Sequence, residues 1–227
     1  MTLENGNRIG VAASAVIKNG EVTAIKDVTS LNIRIAKNIT DCSRGVLNAL
    51  YINAFPSIIV AAPPGGGKTT FLRDFTRLLS GGFGGKYKKI SVVDERSEIA
   101  AFDLGVNTDI ISGFSKKKGM EIAIRTLSPD MIVCDEIAND EEVDMIKSGF
   151  SSGVAFAVSV HVRDAQDLAQ KSVMKKLLLT GEFDYAVLLE DYTENFTVVD
   201  LRSCNDENPW TVLDRRFLDT CGYFHES

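Results

Sequence analysis

After Pro56 the chain repeats one texture. Short runs that are apolar throughout, at residues 57–62, 90–93, 131–135, 154–160 and 185–190, alternate with amphipathic stretches at 68–79, 119–127, 141–148 and 164–180. A strand without a polar face is buried on both sides, so the alternation predicts a mostly parallel sheet with helices on both faces. Residues 194–200 read as a last edge strand and 210–224 as a C-terminal helix. The run Gly81-Gly82-Phe83-Gly84-Gly85 reads as a flexible loop closing the first helix.

The first forty residues differ. Segments 8–17 and 22–35 are rich in β-branched residues and flank Lys18-Asn19-Gly20, a turn sequence because Asn and Gly tolerate positive φ. Two strands cannot bury a core by themselves. Residues 1–40 are therefore expected to be a β-rich remnant of an N-terminal domain, and 41–227 the main domain. Asp41 or Ser43 is placed to cap a helix running to about Asn53, with Val46, Leu47 and Leu50 on its apolar side.

Composition narrows the class without changing this layout. At 227 residues, with 44% hydrophobic and 25% charged positions, the chain has the makeup of a packed globular protein rather than a disordered or fibrous one. Its 25 Lys and Arg against 31 Asp and Glu give a net charge of −6, the wrong sign for a protein built mainly to grip nucleic acid. The longest apolar runs fall far short of the roughly 18 residues of a spanning helix, which predicts no direct membrane insertion and a cytoplasmic location. Cys42, Cys134, Cys204 and Cys221 form no C-x-x-C pair, and His161 and His225 lie far apart. A metal is expected to arrive with a ligand rather than in a preformed cluster.

The chemistry concentrates at two strand ends. Residues 57–62 lead into Pro63-Pro64-Gly65-Gly66-Gly67-Lys68-Thr69-Thr70, a Gly-rich turn that opens a helix. Glycines let backbone N–H groups wrap a phosphate, and the helix N-terminus adds positive potential. On this reading Pro64, Gly65, Gly66, Gly67, Lys68, Thr69 and Thr70 bind ATP; Lys68 neutralises the outer phosphates, and the Thr69 hydroxyl meets Mg²⁺. The first Gly of the G-x-x-x-x-G-K-[ST] pattern is Ala62 here. The second site is Met131-Ile132-Val133-Cys134-Asp135-Glu136, an apolar strand ending in two carboxylates. In a P-loop ATPase this is the Walker B strand, with Asp135 toward Mg²⁺ and Glu136 polarising the attacking water. No Asn-Lys-x-Asp motif for reading guanine occurs.

Four runs, Ser30-Leu31-Asn32-Ile33-Arg34-Ile35-Ala36, the P-loop continued through Asp74, Val92-Val93-Asp94-Glu95-Arg96-Ser97-Glu98-Ile99-Ala100, and Ser128-Pro129-Asp130-Met131 through Ile137, closely resemble the stage III sporulation protein AA family. Its members are ATPases related to type II and type IV secretion ATPases. The resemblance implies a RecA-like P-loop α/β domain working as a ring, probably hexameric in the family's manner, peripheral to a membrane-embedded channel on the mother-cell side during endospore formation. By position it carries Asp94, Glu95 and Glu98 into the Asp box of secretion ATPases, His161 into their His box, and Arg125 onto an arginine ahead of the Walker B strand. Glu95 would then lie near the attacking water and His161 would sense the γ-phosphate. Ala138 stands where those ATPases have an arginine. Arg34, outside the nucleotide core, is a candidate finger for a neighbouring subunit, or else a strand arginine paired with Asp27. Two other classes fit a RecA-like domain: a nucleic-acid translocase or helicase, and a nucleotide-gated scaffold without turnover.

Overall fold

The computed structural model describes residues 7–50, 55–163, 167, 170–189 and 196–202. It divides into two units, 1–38 and 39–227. In the first, β1 (Arg8–Lys18) and β2 (Glu21–Arg34) form an antiparallel hairpin. Its two-residue turn has Asn19 at φ 53° and Gly20 at φ 83°, the paired positive values that match the twist of the flanking strands. A second positive φ at Asp27, 53°, coincides with a bulge where the register slips between Ala12 and Ser14. Arg34 stands opposite Arg8, and the Asp27 carboxylate lies 3.8 Å from Lys26, so the Asp27–Arg34 pair is not formed.

The second unit holds a seven-stranded sheet in the order β5-β4-β6-β7-β3-β8-β9. Its strands are β3 (Ile58–Ala62), β4 (Ile90–Asp94), β5 (Thr108–Ser112), β6 (Met131–Cys134), β7 (Ala155–His161), β8 (Tyr185–Leu189) and β9 (Phe196–Asp200). All neighbours run parallel except β9, which lies antiparallel on β8 at the edge. The helices are α1 (Arg44–Leu50), α2 (Lys68–Ser80), α3 (Lys116–Ile122), α4 (Asp140–Ser151) and α5 (Ser172–Leu178). This is the doubly covered parallel sheet that the apolar strands demand. One core, with Phe71, Leu72, Phe75 and Leu79 of α2 over Ile58, Val60, Val92 and Val133, covers one face. The other gathers Met120, Val143, Ile146 and Met174 over Ile59, Ile132, Phe156 and Val158. Each such fully buried Leu, Ile or Phe contributes roughly 1.5–3 kcal/mol.

Some expectations shift. The helix expected at 119–127 starts earlier, at Lys116, and from Ala123 to Leu127 widens into a π-helical turn before a left-handed Ser128. The Gly81–Gly85 loop contains a short 3-10 turn over Phe83–Gly85. Of the helix expected over 164–180, α5 and the helical residues 167 and 170 are described. The C-terminal helix at 210–224, Cys204, Cys221 and His225 lie outside the described residues. Strand β5 had no counterpart in the hydrophobic pattern.

The start of the second unit is tied down by one carboxylate. Asp74 of α2, 1% exposed, accepts hydrogen bonds from the Ser43 N–H (2.9 Å), the Ser43 hydroxyl (2.7 Å) and the Asp41 N–H (2.9 Å), and pairs with Arg77 at 2.7 Å. Burial alone would raise its pKa, but the hydrogen bonds from Ser43, Arg77 and Asp41 outweigh it and hold the carboxyl below its ordinary 3.8. A depressed pKa stabilises the fold above the unfolded-state value, and that stabilisation is lost as pH falls through the folded-state value. Asp74→Asn is therefore expected to cost about 1.5–3 kcal/mol at neutral pH. In urea titrations the gap between wild type and mutant should narrow below pH 3.8; a pH-independent gap contradicts this account.

Candidate functional site

Every strand of the parallel set ends on one edge, and the two motifs meet there. Between β3 and α2 the chain turns through residues 63–67, closed by the Gly66 N–H donating to the Pro63 carbonyl at 2.9 Å. Gly65 and Gly67 take φ of 78° and 87°, which L side chains rarely adopt. The Ala62 substitution has a visible counterpart: a Cβ on Gly66 would come within 2.9 Å of the Ala62 methyl. With Ala at the strand end, only Gly fits at 66.

Lys68, 5% exposed, reaches back along this turn. Its ammonium donates to the carbonyls of Ala62 (2.9 Å) and Pro63 (3.0 Å) and to Nδ1 of His161 at 2.7 Å. Burial pushes the ammonium below its ordinary pKa, while the carboxylates of Asp135 and Glu136 oppose the shift. With Nδ1 accepting from Lys68, the neutral imidazole carries its proton on Nε2. That nitrogen faces the Glu136 carboxylate, 3.4 Å away. His161 thus lies between the P-loop ammonium and a Walker B carboxylate.

Asp135 is the hub. Its Oδ2 accepts from the Thr69 hydroxyl at 2.9 Å, and its Oδ1 accepts from the Ser159 hydroxyl and from the Glu136 N–H at 3.0 Å. The Ser159 oxygen also accepts from the Glu136 N–H, at 2.9 Å. Glu136 itself sits at φ 39°, a left-handed conformation that costs a non-glycine residue roughly 1–2 kcal/mol. Such strain persists where surrounding contacts dictate it and concentrates at functional positions. Lys116 donates to the Glu136 carbonyl from the far side.

The strand β4 end adds a third group. Asp94, 2% exposed, accepts from the N–H groups of Glu98 (2.9 Å) and Ala100 (2.8 Å), and so shapes the turns that follow. Buried Arg73 of α2 fastens the same loop by donating to the carbonyls of Ile99 (3.0 Å) and Glu98 (2.8 Å). Glu95 and Glu98 are left lining a cleft whose opposite wall is Lys116, Asp135 and Glu136.

The structure therefore gathers Gly65, Gly66, Gly67, Lys68, Thr69, Asp135, Glu136 and His161 at one edge, with Glu95 across the cleft. Pro64 lies exposed on the turn, and Thr70 is half-buried in the first turn of α2. Two arginines are not brought to this edge by the same chain's sheet unit. Arg125 lies in the π-helical turn near the opposite end of the strands, 3.2 Å from Glu121, and Arg34 is exposed in the hairpin unit. Ser159 and Lys116 were missed by motif reasoning. Ser159 is the one polar residue in the run 154–160, and a fully buried hydroxyl there needs a partner. Lys116 opens a lysine triplet at a helix start, where the helix dipole disfavours cations. Among the described residues no cluster of three or more His, Cys, Asp and Glu side chains could hold a metal. The Thr69 hydroxyl and Asp135 carboxylate are hard oxygen donors that fit Mg²⁺ bound together with phosphate oxygens.

Comparison with known proteins agrees with this geometry. The family described as sporulation stage III, protein AA, matches residues 1–206. The stage III sporulation protein AA of Bacillus subtilis (strain 168) is 34% identical over 192 residues, covering 81% of this chain and 62% of its own length. The uncharacterized protein ycf45 of Cyanidium caldarium is 29% identical over 177 residues, covering 73% of this chain and 47% of its own. The chain spans no more than 62% of either relative. Among solved structures, the Legionella pneumophila ATPase DotB superposes with a TM-score of 0.56 at 14% identity, over 80% of this chain and 53% of that one. The pilus retraction motor PilT with bound ADP gives 0.53 at 14% identity, over 82% and 59%. At such identity the likeness is one of fold: a RecA-like P-loop domain with a small antiparallel hairpin at its N-terminal side.

Ser159→Ala removes the hydroxyl that aims Asp135 and leaves the Glu136 N–H one acceptor. Outer-shell partners of a metal ligand are worth about 10–100-fold in metal affinity. Magnesium titration of a fluorescent ATP analogue bound to the variant is expected to shift by that factor while Lys68-dependent binding of the metal-free nucleotide holds. An unshifted midpoint would remove Ser159 from the site.

Proposed function

The chain belongs to the sporulation stage III protein AA family, and from that premise we propose that it hydrolyses ATP with Mg²⁺ as a cytoplasmic motor. The ATPase is residues 41–227, with 1–40 the end of a preceding domain. It works as a homo-hexameric ring at the base of a membrane-embedded channel during endospore formation. The observation that carries the catalytic reading is the 2.9 Å contact between Thr69 and Asp135, which joins the P-loop to the acidic strand end with Glu136 beside it.

Lys68 and the backbone N–H groups of 65–67 hold the β- and γ-phosphates. Magnesium, held by Thr69 and through water by Asp135, supplies the charge neutralisation that lets an anion be attacked. Glu136 takes the proton of the attacking water, and Glu95 faces that water across the cleft. Because His161 hydrogen-bonds Lys68 and faces Glu136, loss of the γ-phosphate reaches the base through a single imidazole. Charge on the transferring phosphoryl group is met by an arginine of a neighbouring subunit, with Arg34 and Arg125 the candidates.

A phosphate-release assay tests the reading directly. Glu136→Gln is expected to keep ATP binding and to lower turnover by about 10²–10⁴-fold, the contribution of a positioned general base; Lys68→Ala should lose binding itself. If Glu95→Gln silences the protein and Glu136→Gln does not, the two carboxylates exchange roles. Specific activity should also rise with protein concentration as rings form, and Arg34→Ala should blunt turnover at unchanged ATP affinity. Concentration-independent turnover by a monomer, indifferent to Arg34→Ala, would overturn the ring and its finger.

A further inference from the structure

A left-handed glutamate immediately after a strand end needs something to hold it. The N–H of Glu136 is held from one side by Asp135 and Ser159, and its carbonyl is held from the other by the Lys116 ammonium. The helix that delivers Lys116 is itself fixed. A Cβ on Gly119 would come within 2.6 Å of a Val93 methyl, so α3 lies directly on β4. Lys117 pairs with Glu141 of α4 at 3.0 Å, and Ser115 caps the first turn through the Lys118 N–H. Lys117 and Lys118 are thus occupied by Glu141 and Glu121, whereas Lys116 turns inward, half-buried, to the Glu136 carbonyl. A cation in the first turn of a helix works against the dipole, and a residue that breaks a local rule is expected where function requires it.

We infer that Lys116 is a positioning residue for Glu136: by gripping its carbonyl, α3 keeps the residue in its left-handed backbone and so keeps the carboxylate facing His161 and the cleft. The inference rests on the proposed role of Glu136 as the base. Lys116 touches the backbone of the base rather than the reacting atoms, so its loss should misplace the carboxylate without weakening the P-loop's hold on ATP. Displacements of about 1 Å at a reacting group are worth about 10²-fold in rate.

The test pairs kinetics with a crystal structure of the same variants. Lys116→Met is expected to lower kcat by about 10²-fold with KM for ATP unchanged, and Lys116→Arg, which keeps a donor, to restore most of it. In crystals of Lys116→Met, Glu136 should leave the positive φ region; in Lys116→Arg it should stay. A Lys116→Met protein with wild-type kcat, or one whose only change is a raised KM, overturns the inference, as does a Glu136 that keeps its left-handed backbone without Lys116. Absence of turnover in the wild type would instead overturn the proposed ATPase activity, and the crystallographic comparison would still decide what Lys116 does.

Discussion

The Asp135 carboxylate is the constraint on which the edge of the sheet depends. It is bonded to a residue of α2, a residue of β7 and the backbone of its own successor, and so fixes three elements relative to one another. Were it to point elsewhere, the fully buried Ser159 hydroxyl would lose its acceptor, a loss of about 1–3 kcal/mol. The Thr69 hydroxyl would also lose the partner that sets its direction. A single acidic side chain therefore couples the stability of the parallel sheet to the geometry of the P-loop.

Carboxylates at neighbouring strand ends are divided by burial rather than by type. Asp94 is spent on two backbone N–H groups and builds a loop that Arg73 then clamps from α2. Glu95, one residue later, is exposed on the cleft and makes the chemistry available there. The same split separates Asp135, occupied by hydroxyls and a backbone N–H, from Glu136, whose side chain keeps 43% of its surface. In each pair the first carboxylate supports and the second is presented.

The parallel sheet and both motifs were legible because burial on two faces leaves no polar position in a strand, as in β3 and β6, and because Gly-Lys-Thr has few other uses after such a strand. Asn19-Gly20 made the hairpin turn equally plain. Strand β5 was hidden: Thr108–Ser112 is an edge strand with one buried residue in five, so its pattern resembles a loop. Lys116 and the backbone of Glu136 were illegible for a different reason. Each depends on contacts between segments 20 residues apart in sequence, and no local pattern carries the approach of Gly119 to Val93. Ser159 lay in between, visible as an oddity in an apolar run but without an assigned partner until β7 was set beside β6.

The central position of β3 has a consequence for how the protein is born. Its neighbours are β7 and β8, and the Ser57 contacts at its base reach Phe156 and Asp184, 99 and 127 residues further along the chain. A ribosome delivers those partners long after it has delivered Lys68 and Thr69. The nascent chain therefore carries a finished phosphate-binding motif on an unseated strand, with both hydrogen-bonding edges of β3 open until β8 emerges. Parallel sheets with such distant pairings fold slowly and expose their edges meanwhile. Newly made copies should accordingly be most vulnerable to aggregation and to chaperone capture during synthesis of the second half of the chain.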